Sequence, residues 1–398
     1  MLSQATELSL TPIMETPRLE PKRGGKWRLL AGIALVALVA FGMIVSLVHR
    51  RGNRERDRHL NEGEALFQKR EYDRAIEEFT EAIRLDPSCA FAFANRASVY
   101  FNRGEWQQAI DDCNRALEID PKLTLGYANR AGAYLNLGEM DRAIADCTRA
   151  LEFDPQSCLA FANRGAAHLN KGELDFAIAD CSRALELDPH LALAYANRGA
   201  AYFNRGDFDR AIADSSQALA NDSSMALAYL NRAAAFLSKG DNDGAIADAS
   251  QALRLNPSLA RGYALRGTAF FNKGDDVQTI EDSNEALRRD PTLSFAHVNC
   301  GLANLRLGNA DKAMQEMDEV IRREPKLAMA YVYRGAVFLS RGDTKRVIDD
   351  CTRALEIDSH LALAYWNRGL AYAQQGDRER GDADQKKAVE LDPSFGQK

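Results

Sequence analysis

The chain has 398 residues, 46% hydrophobic and 27% charged, a length that on size alone suggests two or three domains. Its formal charge of −6 is uneven: residues 1–58 hold ten Lys/Arg against five Asp/Glu, and the rest hold 41 against 52. An acidic body without aromatics interleaved in a basic patch matches nucleic acid poorly, so no nucleic-acid partner is expected.

Residues 1–28, with Pro12, Pro17 and Pro21, read as a flexible basic tail. Leu29 to Val48 follows, 20 residues without a charge and with Ser46 as its one polar side chain. At 1.5 Å per helical residue it covers about 30 Å, the thickness of a bilayer core. The stretch is too long for the apolar core of a cleavable signal. A single membrane-spanning anchor is expected at 29–49, then a basic juxtamembrane linker at 50–55. Arg18, Lys22, Arg23, Lys26 and Arg28 precede the span, and Arg50, Arg51, Arg54, Arg56 and Arg58 follow it. Five face five, so the positive-inside count assigns no side to the rest of the chain. Free thiols favour a reducing side and a basic leader the opposite one; the expectation is a single-pass membrane protein of open orientation.

From Arg56 onward a unit of 34 residues runs ten times without insertion: 56–89, 90–123, 124–157, 158–191, 192–225, 226–259, 260–293, 294–327, 328–361 and 362–395. Its marker, such as Asp86, Asp120 or Asn256, is followed by proline in eight units and by Ser223 or Ser359 in two. A period kept over that length specifies a repeat architecture. In unit five, Tyr195, Gly199, Tyr202 and Phe203 fall at helical spacing. Gly206 ends this first helix as a left-handed cap; the same position is glycine in nine units and Arg70 in the first. Asp207 can cap a second helix, which the Asp-Pro pair terminates. Two short antiparallel helices bury their apolar faces only by stacking on neighbours, so the predicted fold is an all-α solenoid. Close packing follows from position 8 of the unit, always Gly or Ala, and from the slot of Ala218, Ala in nine units and Val320 in one.

An aromatic at position 4, Gly/Ala at 8, Tyr/Phe at 11, Ala at 20, Ala at 27 and Pro at 32 resembles the tetratricopeptide repeat pattern, over 56–395. That resemblance implies a right-handed superhelix of antiparallel helix pairs, with first helices lining a concave face that binds protein. Two positions depart from the family pattern. Position 7, usually Leu, is Arg in eight units, and position 24, usually aromatic, is mostly Cys, Ser or Ala.

Position 6 is Asn in eight units: Asn61, Asn95, Asn129, Asn163, Asn197, Asn231, Asn299 and Asn367. Position 13 is Asn in five: Asn102, Asn136, Asn170, Asn204 and Asn272. Seven residues is two helical turns, so both rows share one face, with Ala166, Ala200 and Ala234 as a low floor between them. An amide offers a donor and an acceptor, matching the backbone of an extended peptide. The O-linked N-acetylglucosamine transferases of the resembled family hold peptide backbone with such a ladder. The other reading is that these residues bridge neighbouring units. Ladder breaks stand at Leu265 and Tyr333, and Arg261 adds a charge beside the first. Arg at position 7 is expected to pair with the acid found at position 23 in all ten units. The two-carboxylate clamp of chaperone-binding members is not expected, because only Asn231 and Arg261 fit it, while Ala196, Ala200 and Leu265 fill its other slots.

Seven cysteines form no CxxC, and Cys113, Cys147, Cys181 and Cys351 share one position. Equivalent positions about 10 Å apart are too distant for disulfides, so these read as buried core, with no metal or cofactor expected. No Ser/His/Asp order, phosphate loop or HExxH occurs, and only Ser394–Lys398 follow the last Asp-Pro. Neither an enzyme nor a small-molecule substrate is expected. The expected function is a membrane-anchored adaptor or scaffold holding an extended partner segment in an Asn-lined groove. The alternative is a structural or assembly component of a membrane complex that contacts partners through the convex face or the solenoid ends.

Overall fold

The computed structural model describes residues 53–397. Among these residues it contains twenty α-helices, a closing 3-10 turn at Pro393–Gln397, and no strand. The predicted span at 29–49 and the tail before it lie outside the described residues. No helix among the described residues is long and apolar enough to cross a membrane. The chain divides into two compact units, one ending at Val99 and one running from Tyr100 to Lys398.

The first unit holds α1 (53–68) and α2 (Tyr72–Leu85), with the opening part of α3 (Ala90–Asn102). Residues 53–55, taken from the sequence as linker, are already helical. Its core is Leu66, Ala75, Phe79 and Val99. Arg70 joins α1 to α2 at φ 62°, the left-handed conformation that glycine adopts at this position elsewhere.

In the second unit each helix packs on the next. First helices of successive repeats also meet, as α5 (Thr124–Asn136), α7 (Cys158–Asn170) and α9 (Ala192–Asn204) do. The nine glycines that end its first helices, Gly104 to Gly376, take φ between 72° and 88°, and at Gly206 no atom would crowd an added Cβ. Backbone conformation therefore sets the choice there, whereas space sets it at position 8. A Cβ on Gly199 would lie 3.3 Å from the Ala211 carbonyl, and one on Gly369 2.9 Å from the Gly381 carbonyl. Cys113, Cys147, Cys181 and Cys351 are fully buried across from position 8, and burial pushes each thiol up to about 12. The core reading of these cysteines holds.

The repeat marker works through its carboxylate as well as through the proline. Asp120, Asp154, Asp188 and Asp222 each accept the N–H two residues on, at 2.9 to 3.0 Å, closing a local turn. Asn256 has the same oxygen and does the same at 3.0 Å. This bond is why serine can replace the proline at Ser223 and Ser359: the Asp222 and Asp358 turns still close. Second helices are capped where the residue before them is Asp. Asp207, Asp241, Asp275, Asp343 and Asp377 each accept an N–H three residues on. Glu105, Glu139 and Glu173, one methylene longer, hold the same place without a capping bond.

Candidate partner-binding groove

The position-7 arginines do pair with the position-23 acids. In the second unit Arg130, Arg164, Arg198, Arg232, Arg266, Arg334 and Arg368 each donate Nε and Nη2 to both oxygens of the Asp sixteen residues on, at 2.7 to 2.9 Å. The third nitrogen reaches back into the preceding repeat: Arg198 Nη1 donates to Ser182 Oγ at 3.0 Å, and Arg232 Nη1 to Ser216 Oγ at 3.0 Å. Each guanidinium also lies over the ring at position 4, as Arg198 does over Tyr195 at 5.6 Å. The hydrogen bond to Asp214 outweighs desolvation and raises the Arg198 pKa.

Two repeats lack this arginine, and both replace the whole set. In 294–327, position 7 is Cys300, position 4 is His297 and position 23 is Glu316. His297 Nδ1 stands 2.6 Å from Glu316 Oε2, and its Nε2 stands 3.2 Å from the Pro291 carbonyl. In the first unit, Glu62 holds position 7, and His59 Nδ1 stands 2.5 Å from Glu78 Oε2. The longer glutamate spans to a shorter base. Sequence reading missed this exchange, although His, a non-arginine and Glu change together in the same two repeats.

The structure separates the two asparagine rows. At position 6, Asn163, Asn299 and Asn367 are buried, while Asn95, Asn129, Asn197 and Asn231 are half-buried. Asn163 Nδ2 donates to the Ala128 carbonyl and Asn197 Nδ2 to the Ala162 carbonyl, each 3.3 Å away in the preceding repeat. Asn299 Nδ2 donates to Thr268 Oγ1 at 2.7 Å. Bridging between repeats, the second reading of this row, is therefore present at these three. At position 13, Asn102, Asn136, Asn170, Asn204 and Asn272 are exposed. Asn136 and Asn170 donate to carbonyls one turn back at 3.0 Å, and Asn272 to Asn242 Oδ1 at 3.0 Å. Leu265 does not interrupt an open ladder; it is core, packed with Leu230, Ala233 and Ala269. Burial pushes the Tyr333 hydroxyl pKa up.

Parts of both rows converge on an open cavity of about 470 Å³ in the second unit. Asn170, Asn197, Asn204 and Asn231 line it over a floor of Ala166, Ala196 and Ala200, with Leu193, Phe203, Met225 and Leu227 as walls and Arg261 at its rim. Leu227 is 60% exposed there. Leu193, Leu227 and Arg261 all occupy position 2, four residues before the position-6 row and on the same helix face. The sequence carried that signal, an apolar side chain in most first helices, but its pattern matched an ordinary core stripe.

Profiles of the tetratricopeptide repeat match residues 60–123, 125–157, 158–191, 196–260 and 362–395, more than half of the chain. The chain belongs to the tetratricopeptide-repeat family. Repeats of this family bind protein partners, and this tetratricopeptide-repeat protein is an interaction scaffold of that kind. No curated protein sequence matches it. Among solved structures it is similar to the APC/C hetero-tetramer Cut9-Hcn1, with TM-score 0.56 and 17% identity over 84% of this chain and 73% of that one. It is also similar to a tetratricopeptide repeat protein from Parabacteroides merdae, with TM-score 0.47 and 20% identity over 63% of this chain and 99% of that one. A human IFIT1 dimer with m7Gppp-AAAA matches with TM-score 0.48 and 16% identity over 84% of this chain and 89% of that one. At such identities the likeness is one of fold.

Proposed function

We propose that the protein is a membrane-tethered adaptor that captures an extended segment of a partner protein in the groove of repeats 158–293. The observation that carries this is the open cavity itself. Asn204 and Asn231 line it with amides that make no hydrogen bond to other described residues, beside the exposed Leu227. Free amides paired with a low alanine floor suit a peptide backbone, which needs both a donor and an acceptor at close approach. Asn163 and Asn299 have their amides turned to the preceding repeat and serve the stack instead. The partner is protein rather than nucleic acid, given the acidic body, and the action is binding rather than chemistry. The tether is the segment 29–49, whose uncharged run Leu29 to Val48 is long enough to span a bilayer core.

A photo-crosslinking residue placed at 204 or 231 in the full chain should trap a partner in cells. One placed at Glu186 or Arg254, on second helices, should trap much less of it. Crosslinking confined to the second-helix positions would replace the groove by the assembly-component reading. Carbonate extraction tests the tether separately: the full chain should stay with membranes, and deletion of 29–49 should release it.

A further inference from the structure

Position 2 of the first helices is an apolar row in the second unit, with Leu159, Leu193 and Leu227 before Arg261 and Phe295 and Met329 after it. Arg261 alone breaks it in this stretch, at the rim of the cavity. Its side chain is exposed, yet it makes no hydrogen bond or ion pair to other described residues, unlike the position-7 arginines. The groove wall stands close enough that desolvation, the one effect acting on it, lowers its pKa. An exposed cation beside the apolar side chains of the cavity, with no counter-charge from the protein, is open to an anion brought by a ligand.

Spacing adds a second constraint. Equivalent positions in stacked helices lie about 10 Å apart, and an extended chain advances about 3.3 Å per residue. Side chains reaching successive position-2 residues are thus about three residues apart in the ligand. We propose that the groove selects a partner segment with one acidic side chain on Arg261 and apolar side chains about three and six residues away, on Leu227 and Leu193. This rests on the groove reading above and adds the ligand's chemistry and register. The acid is a side chain within the segment rather than a chain terminus. A terminal carboxylate needs several converging donors, and the neighbouring position-2 side chains in the cavity, Leu193 and Leu227, supply none.

The test uses the full chain in detergent micelles and fluorescent peptides with both ends blocked. Each carries two leucines and one glutamate at three-residue spacing among serine and glycine, in both chain directions. The glutamate peptide in the preferred direction should bind roughly tenfold tighter than its glutamine counterpart. Arg261→Leu should abolish that difference while leaving glutamine-peptide binding in place. Leucine is what the three preceding repeats carry at this position, so the variant should fold. Arg261→Glu should shift preference to a lysine peptide. Equal binding of the glutamate and glutamine peptides, or a preference that survives Arg261→Leu, overturns the proposal. So does tightest binding by a glutamine peptide with a free C-terminus. If glutamate and glutamine peptides bind alike but Asn204→Ala with Asn231→Ala weakens both, the register proposal fails and the groove stands. If no peptide binds, both fall.

Discussion

At the scale of single residues, one arginine in most repeats ties three helices together. Arg198 on α9 holds both oxygens of Asp214 on the second helix of its own repeat and Ser182 on the second helix of the repeat before. The Asp214 side chain is 10% exposed, so this is more than a surface pair. Replacing Arg198 with Met leaves a buried carboxylate without its partner, and urea unfolding should show a loss of about 2–3 kcal/mol. Replacing Asp214 with Leu in the same chain should recover most of the loss, because the cost lies in the orphaned charge rather than in the missing pair. If Arg198→Met unfolds like the parent chain but no longer binds a partner, the arginine row is a ligand site and its structural assignment is wrong. The arginine–acid pairing was legible because both residues recur sixteen apart in register. The third contact was not, because its acceptor changes between Asn114, Thr148, Ser182 and Asp318.

At the scale of the helix pair, 294–327 differs from its neighbours in what holds it shut. Both ring nitrogens of His297 face acceptors, so only the protonated imidazolium can donate to both. Burial opposes that charge and Arg323 opposes it weakly, but the Glu316 hydrogen bond, the Pro291 carbonyl and the Glu316 charge outweigh them, and the pKa is raised. Cys300 Sγ also lies 3.8 Å from Glu316 and 3.9 Å from Asn284, and burial pushes that thiol up to about 12, so it stays neutral beside the pair. A folded-state pKa above the unfolded value contributes stability that is complete below about pH 6.5 and lost as pH rises through the raised value. Between pH 6 and pH 8.5 the wild-type chain should therefore lose more stability than a triple variant, His297→Tyr, Cys300→Arg and Glu316→Asp, which restores the common set. Thermal melts at the two pH values measure the difference. Equal pH slopes in the two chains would show that the pair contributes nothing to folding. Helices and caps were legible at this scale, since glycine punctuates nine of the ten repeats and a proline after the marker eight. That Asp caps while Glu at the same position does not was hidden, because it depends on one methylene of reach.

For the whole molecule, the period was the strongest sequence signal, and the fold follows it through both compact units. The division near Val99 was invisible, since it falls inside α3 and no change of composition marks it. A solenoid with nearest-neighbour contacts should tolerate the loss of a complete unit, and the chemistry of the second unit allows a strict test. Excising 192–225 brings Arg232, which reaches Ser216, into line with Ser182 in the equivalent place. It likewise brings Lys239, paired with Asp209, into line with Asp175. Both new neighbours match the old ones in residue type, so the junction should re-form with its hydrogen bonds and ion pair. The shortened chain should keep a single cooperative thermal transition and a midpoint within a few degrees of the parent. Excising only 192–208, half a period, places a second helix where a first belongs. That change sets its apolar stripe and its Asp214 against the wrong neighbour, and circular dichroism should show loss of cooperative unfolding. If the two excisions behave alike, stability is not carried by the register of the 34-residue unit.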